Sequence, residues 1–205
     1  MHRTAIHLAH ADCPTTAWRN GGGVARAIAS GDGWDLRSAE IARSGPFSAY
    51  PGARRHFALV QGRVSLAFAP PDGTGSRAAI VDAGAPAGFV FDGGPPCDCT
   101  LLDGDPAIAL NLIIDPDRTI ARMWRVDAGA PDEAGLRAAE SVACTGFMCV
   151  DGAFRLDVFL FGPEGAPAGR TAPPVRIPDA ARRAAALCFR IEHNRAGRIS
   201  TDARR

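Results

Sequence analysis

Three stretches of the chain hold the residue types from which a pocket for a small anion is built. The first is Trp18-Arg19-Asn20-Gly21-Gly22-Gly23-Val24-Ala25-Arg26. Three consecutive glycines remove Cβ bulk and permit φ > 0, so the backbone can turn sharply or approach a ligand closely. Trp18 offers an apolar wall and Asn20 an amide. Arg19 and Arg26 offer guanidinium forks suited to carboxylate or phosphate. The competing reading is a glycine hairpin with incidental charges. The second stretch, Arg43 to Arg55, carries the sole Tyr of the chain, Tyr50, with Phe47 and Ser48 between Gly-Pro and Pro-Gly turns. It follows a strand pattern bearing Glu40 and leads into the apolar run that starts at His56. A loop in that position is either a binding loop or a rigid turn. The third is Asn111, which interrupts the apolar run Ala-Ile-Ala-Leu-Asn-Leu-Ile-Ile at 107–114. Alternation places it opposite Leu110 and Leu112, beside Ala109 and Ile113. A buried Asn needs hydrogen-bond partners, so it either satisfies a neighbouring loop or faces a polar cavity.

Catalytic and metal-binding signatures are sparse. The five His are His2, His7, His10, His56 and His193, and no two stand at H-x-H spacing. His7, His10 and Asp12 read as a solvated strand edge rather than part of a metal site. Cys97 and Cys99 form C-x-C, which is not a zinc-ribbon spacing, and no second pair completes a tetrahedral set. Phosphate-loop, dinucleotide, zincin and nucleophile-elbow motifs are missing. The expectation is therefore no metal, no cofactor and no catalytic residue. A metal-free acid–base enzyme would have to draw on Glu40 or His56.

The elements that must position these residues are strands. Period-two alternation runs through 108–114, 154–160 and 187–192. Runs at 57–59 and 64–68 flank a turn at Gln61-Gly62, and further short strands fit 34–42, 78–82, 88–92 and 99–103. Helices are expected only at 132–143 and 178–184, and a loop at 162–174. The 205 residues suit one compact domain or two small ones, with 46% hydrophobic and 22% charged residues, which excludes wholesale disorder. All basic residues are Arg and the net charge is +1, which argues against a dedicated nucleic-acid binder. No apolar run is long enough to span a membrane, and no secretory signal is visible, so a cytoplasmic protein is expected. The six Cys then read as free thiols.

Taken together, six motifs resemble the HutD/Ves family: W-R-N-G-G-G-V-A-R at 18–26, W-D-L-R-S-A-E-I-A at 34–42, G-P-F-S-A-Y-P-G-A-R-R at 45–55, F-D-G-G-P-P at 91–96, L-L-D-G at 101–104 and L-N-L-I at 110–113. The resemblance covers 14–114. It implies an all-β bicupin, two small jelly-roll barrels packed in one chain, with residues 1–115 in one half and 116–205 in the other and strands exchanged between them. It also implies a homodimer and a regulatory or binding role in histidine utilisation, with a formylated or formimino-glutamate ligand. On that basis the N-terminal half should hold a pocket lined by Trp18, Asn20, Arg26, Glu40, Phe47, Ser48, Arg55 and Asn111. Arg26 and Arg55 would hold carboxylates, Asn20 and Asn111 would read the formyl or formimino group, and Trp18 and Phe47 would exclude water. Glu40 and Arg26 could equally pair with each other. Ala25 and Ala27 stand where the family often has Thr and Glu. The alternatives are a protein-interaction module of the same pathway and a metal-independent cupin enzyme acting on a small carboxylate.

Overall fold

The computed structural model describes residues 4–69, 77–127, 141–161 and 174–194. Along the chain the strands are β1 (Thr4–Leu8), β2 (Thr15–Ala17), β3 (Gly23–Gly31), β4 (Trp34–Ile41), β5 (Gly45–Pro46), β6 (Arg54–Gln61), β7 (Arg63–Phe68), β8 (Arg77–Asp82), β9 (Phe89–Asp92), β10 (Cys97–Leu101), β11 (Ala107–Ile114), β12 (Thr119–Val126), β13 (Val142–Cys149), β14 (Val158–Phe161), β15 (Val175–Arg176) and β16 (Ala186–His193). One short helix, α1 (Asp179–Arg183), starts just after Pro178, with Asp179 in its first turn and Arg182 and Arg183 in its last, which suits the helix dipole. Among the described residues no helix is long and apolar enough to cross a membrane.

The strands form three antiparallel sheets, ordered β2-β3-β4-β11-β6-β9, β5-β10-β7-β8 and β12-β16-β13-β14-β1-β15. The N-terminal strand β1 thus lies in the sheet built otherwise from residues beyond 118, between β14 and β15. The sheets are layered by their apolar faces. Leu36, Leu110 and Leu112 of one six-stranded sheet meet Leu160, Leu187 and Phe189 of the other in the central core. The opposite face of the first sheet packs through Phe57 and Leu59 on Val64, Leu66 and Cys99 of the four-stranded sheet. The outer face of the third sheet is covered by α1 and the residues leading into it, where Ala181 and Ile177 meet Phe147 and Phe159. Each fully buried Leu or Phe contributes about 1.5–3 kcal/mol. This is the all-β, cupin-like architecture expected from the sequence. Each sheet keeps two free edges among the described residues, so none closes into a barrel.

Gln61 and Gly62 join two strands as expected, and because β6 and β7 lie in different sheets the turn carries the chain from one sheet to the other. Gly62 has φ +85° there, and a Cβ would sit 3.0 Å from that of Ala107. Several local expectations need correction. The strand expected over 154–160 begins only at Val158. Gly152–Phe154 form a 3-10 turn, and Leu156 adopts φ 72°, held by its N–H to the Cys149 carbonyl at 2.7 Å. His7 and His10 are not on a solvated edge. His7 stacks on Phe159 at 4.7 Å and bonds Asp157 at 2.8 Å, while the His10 backbone N–H donates to the same carboxylate at 3.0 Å. Of the helix expected at 132–143, residues 132–140 lie outside the described residues, and Val142 and Ala143 begin β13. The loop expected at 162–174 lies outside them except for Pro174. All six Cys are buried and none forms a disulfide.

Candidate functional site

Register decides which side chains share a face. Asn111 of β11 stands opposite Arg37 of β4 and Phe57 of β6, and Ala109 stands opposite Ala39 and Leu59. Because strand side chains alternate between faces, the odd-numbered residues of these strands all point toward the four-stranded sheet. Ala25 and Ala39 are small, so the space above them is left open. The result is a cavity of about 470 Å³, floored by this face and walled by Trp18, Phe47 and Tyr50 from the two flanking loops.

Arg55 lies at its base, only 6% exposed. Its Nε and Nη2 both donate to Oδ1 of Asn111, each at 3.3 Å. Because both donors need an oxygen, the Asn111 amide is oriented with its NH2 group left over for the cavity. The guanidinium carbon lies 4.9 Å from the ring centres of Phe47 and Phe91 and 5.5 Å from that of Tyr50. Among the described residues no carboxylate pairs with it, and Nη1 has no hydrogen-bond partner. Burial pulls its pKa below the ordinary arginine value, only partly offset by Tyr50, Cys97 and Cys99. The neighbouring thiols are neutral, because burial pushes Cys97 up to about 11 and Cys99 to about 12. Aromatic faces stabilise a guanidinium by about 0.5–2 kcal/mol each, which compensates part of the cost of burying it uncountered.

Arg37 and Tyr50 line the cavity although the sequence did not place them in it. Arg37 bonds Asp35 through Nε at 3.0 Å and Nη2 at 2.5 Å, and the hydrogen bond to that carboxylate holds its pKa above the ordinary value. Tyr50 sits on the loop that caps the cavity; its backbone N–H donates to Gly93 at 2.7 Å and Gly93 donates back to Ala53 at 2.8 Å. Arg19 and Thr16 complete the rim. The polar groups offered to a ligand are therefore guanidinium and amide N–H donors, with the hydroxyls of Thr16, Ser48 and Tyr50.

Of the eight residues expected at the site, the structure brings together Trp18, Phe47, Ser48, Arg55 and Asn111. Trp18 and Phe47 meet edge to face at 5.9 Å, forming one wall. Asn20, Arg26 and Glu40 do not line the cavity. Asn20 spends its amide on the scaffold, accepting from Gly22 N–H at 2.9 Å and donating to the Pro46 carbonyl at 3.1 Å. It ties the glycine loop to β5, immediately before Phe47. Arg26 and Glu40 stand at even positions, so alternation sends them to the other face. Both act there on the charge of His10, whose Nε2 meets Ser38 Oγ at 2.8 Å and whose pKa is lowered by burial and then by Arg26. His56 also faces away from the cavity, buried with its Nε2 unpartnered among the described residues. No three His, Cys, Asp or Glu side chains gather in metal-holding geometry among the described residues.

The HutD family model matches residues 10–161. A 21.2 kDa Pseudomonas putida protein from the hutC 3′ region is 36% identical over 125 residues, covering 57% of this chain and 61% of that one. The match thus spans less than two thirds of that relative's length. The structure of HutD from Pseudomonas fluorescens SBW25 (formate condition) superposes with a TM-score of 0.64 at 20% identity, covering 92% of this chain and 98% of that one. A conserved protein of unknown function from Pseudomonas aeruginosa PAO1 gives 0.63 at 22% identity, with the same coverage. An oxalate decarboxylase variant from Bacillus subtilis shares the fold more loosely, with a TM-score of 0.52 at 9% identity over 95% of this chain and 78% of that one.

Proposed function

The chain belongs to the HutD family, in a histidine-utilisation context, and from that premise we propose that it is a cytoplasmic, non-enzymatic binding protein whose cavity takes a small N-formylated dicarboxylate of the N-formyl-glutamate class. The observation that carries this reading is Arg55, a guanidinium 6% exposed with no carboxylate partner among the described residues. A buried charge without a counterion is costly, and an anionic ligand supplies the missing partner.

The donor-rich lining refines the ligand. Arg55 Nη1, Arg37 Nη1 and the Asn111 NH2 all donate, and no carboxylate lines the cavity among the described residues. A formyl group accepts through its carbonyl oxygen and fits this set. A formimino group brings N–H donors and positive charge, which would face donors of the same kind. Charge-assisted bonds are worth about 1.5–3 kcal/mol each, so the two compounds should differ by more than tenfold in affinity. The lining also supports binding over acid–base catalysis, because Glu40 and His56 both lie outside it.

Calorimetric titration with N-formyl-glutamate, N-formimino-glutamate, glutamate and urocanate tests the proposal. We expect N-formyl-glutamate to bind most tightly and Arg55→Ala to lose that binding. Folded protein that binds none of the four would sink it and favour an interaction module. The homodimer belongs to the same proposal, and light scattering showing a monomer at working concentration would remove it.

A further inference from the structure

A second cavity of about 410 Å³ lies between the edge strands β8 and β9. Its apolar lining is a trio of rings, Phe68, Phe89 and Phe91, with centroids 5.1–6.1 Å apart and planes tilted by 33–58°. All three are partly exposed rather than sealed into the core. Its charges are Arg54, Arg77 and Asp92. Arg54 and Asp92 are cross-strand partners with N and O 3.9 Å apart, so they largely cancel. Arg77 stands directly opposite Phe68 and makes no side-chain ion pair or hydrogen bond among the described residues. One uncancelled positive charge beside three aromatic rings matches a flat apolar body carrying one negative charge. The volume suits a small ring compound.

One lining residue of this cavity touches the anchor of the first. Phe91 pairs across the strands with Arg55, and its ring both lies 4.9 Å from the Arg55 guanidinium and lines the second cavity. A molecule packed against Phe91 must therefore act on the group that anchors anions next door. We propose that this cavity is a second ligand site, for an aromatic monocarboxylate, and that its occupancy is transmitted to Arg55 through the Phe91 ring. The site stands independently of which ligand fills the first cavity.

trans-Cinnamate is the probe, with neutral cinnamamide as control, followed by calorimetry and by the side-chain Nε–Hε resonance of Arg55, assigned by its disappearance in Arg55→Lys. Ala69 lines the cavity and is exposed, so Ala69→Trp fills the space without emptying the core. We expect saturable cinnamate binding, about twofold to fivefold weaker for cinnamamide and for Arg77→Ala, and at least tenfold weaker for Ala69→Trp. Cinnamate should shift the Arg55 resonance in the wild type but not in Ala69→Trp. Melting curves establish that each variant is folded. Absence of saturable binding would overturn the site. So would binding that Ala69→Trp leaves untouched and N-formyl-glutamate displaces one for one, since cinnamate would then occupy the first cavity. Binding at the second site without an Arg55 shift would overturn the transmission.

Discussion

Arg55 gives two of its N–H groups to a single oxygen, Oδ1 of Asn111, at 3.3 Å each. An amide oxygen orients a guanidinium but does not neutralise it. The pair therefore leaves a positive charge at the base of the cavity, at a position where a carboxylate would have cancelled it.

Asn111→Asp tests that distinction with a change of one atom. The introduced carboxylate would pair with Arg55 and remove the attraction for an anion. Affinity for N-formyl-glutamate should fall by at least about thirtyfold, while stability to urea rises by about 1–3 kcal/mol through the charge-assisted bonds gained. Calorimetry and a urea titration on the same sample check both. Unchanged affinity would mean that Arg55 does not hold the ligand.

The composition of this site was readable before its geometry. Asn111 stands out because it interrupts an apolar strand, and Arg55, Trp18, Phe47 and Ser48 are drawn to the same pocket by the family motifs that carry them. Arg37 could not be preferred over Arg26 in the same way. Both are arginines in strand patterns, and only pairing decides which faces Asn111: Arg37 stands opposite Asn111, whereas Arg26 stands opposite Ser38 on the other face. A one-residue slip would exchange the two sets. The bulge in β3 between Ala27 and Ala29 is another feature that alternation cannot foresee. Likewise β13 was missed because Val-Ala-Cys-Thr-Gly-Phe-Met-Cys is buried on both faces and so shows no alternation.

Arg37 and Arg26 can be separated directly. Arg37→Ala removes a guanidinium from the cavity and should weaken N-formyl-glutamate about tenfold. Arg26→Ala acts on the far face and should leave affinity within about twofold. The reverse ranking, measured by calorimetry on both variants, would show that the ligand lies on the other side of the sheet.

The glycine loop uses conformational freedom at Gly21, where φ is +65°, and close contact at Gly23. A Cβ on Gly23 would lie 2.1 Å from the backbone oxygen of Glu40 and 3.3 Å from the Trp18 ring. Neither the neighbouring strand nor the cavity wall can yield cheaply. Gly23→Ala should destabilise the fold by about 3 kcal/mol or more, the range of severe overpacking. A normal urea midpoint with intact ligand binding would show that β3 and β4 can separate locally without cost.

His56 gives the protein an acid-sensitive core. Its side chain is 5% exposed as a residue, its Nε2 has no partner among the described residues, and burial, followed by Arg54, pulls its pKa from 6.5 to about 4. The folded state thus binds the proton less readily than the unfolded one. The stability associated with neutral His56 is complete above pH 6.5, falls as the pH drops, and is lost by about pH 4. A shift of that size corresponds to about 3 kcal/mol. His10, also lowered by burial, adds a loss of the same sign. His56→Leu removes both the titration and the unsatisfied nitrogen. Urea midpoints measured from pH 7 to pH 4 should therefore decline less steeply in the variant, with the largest difference at the acidic end. Parallel declines would mean that the His56 ring is protonated and accommodated in the folded core.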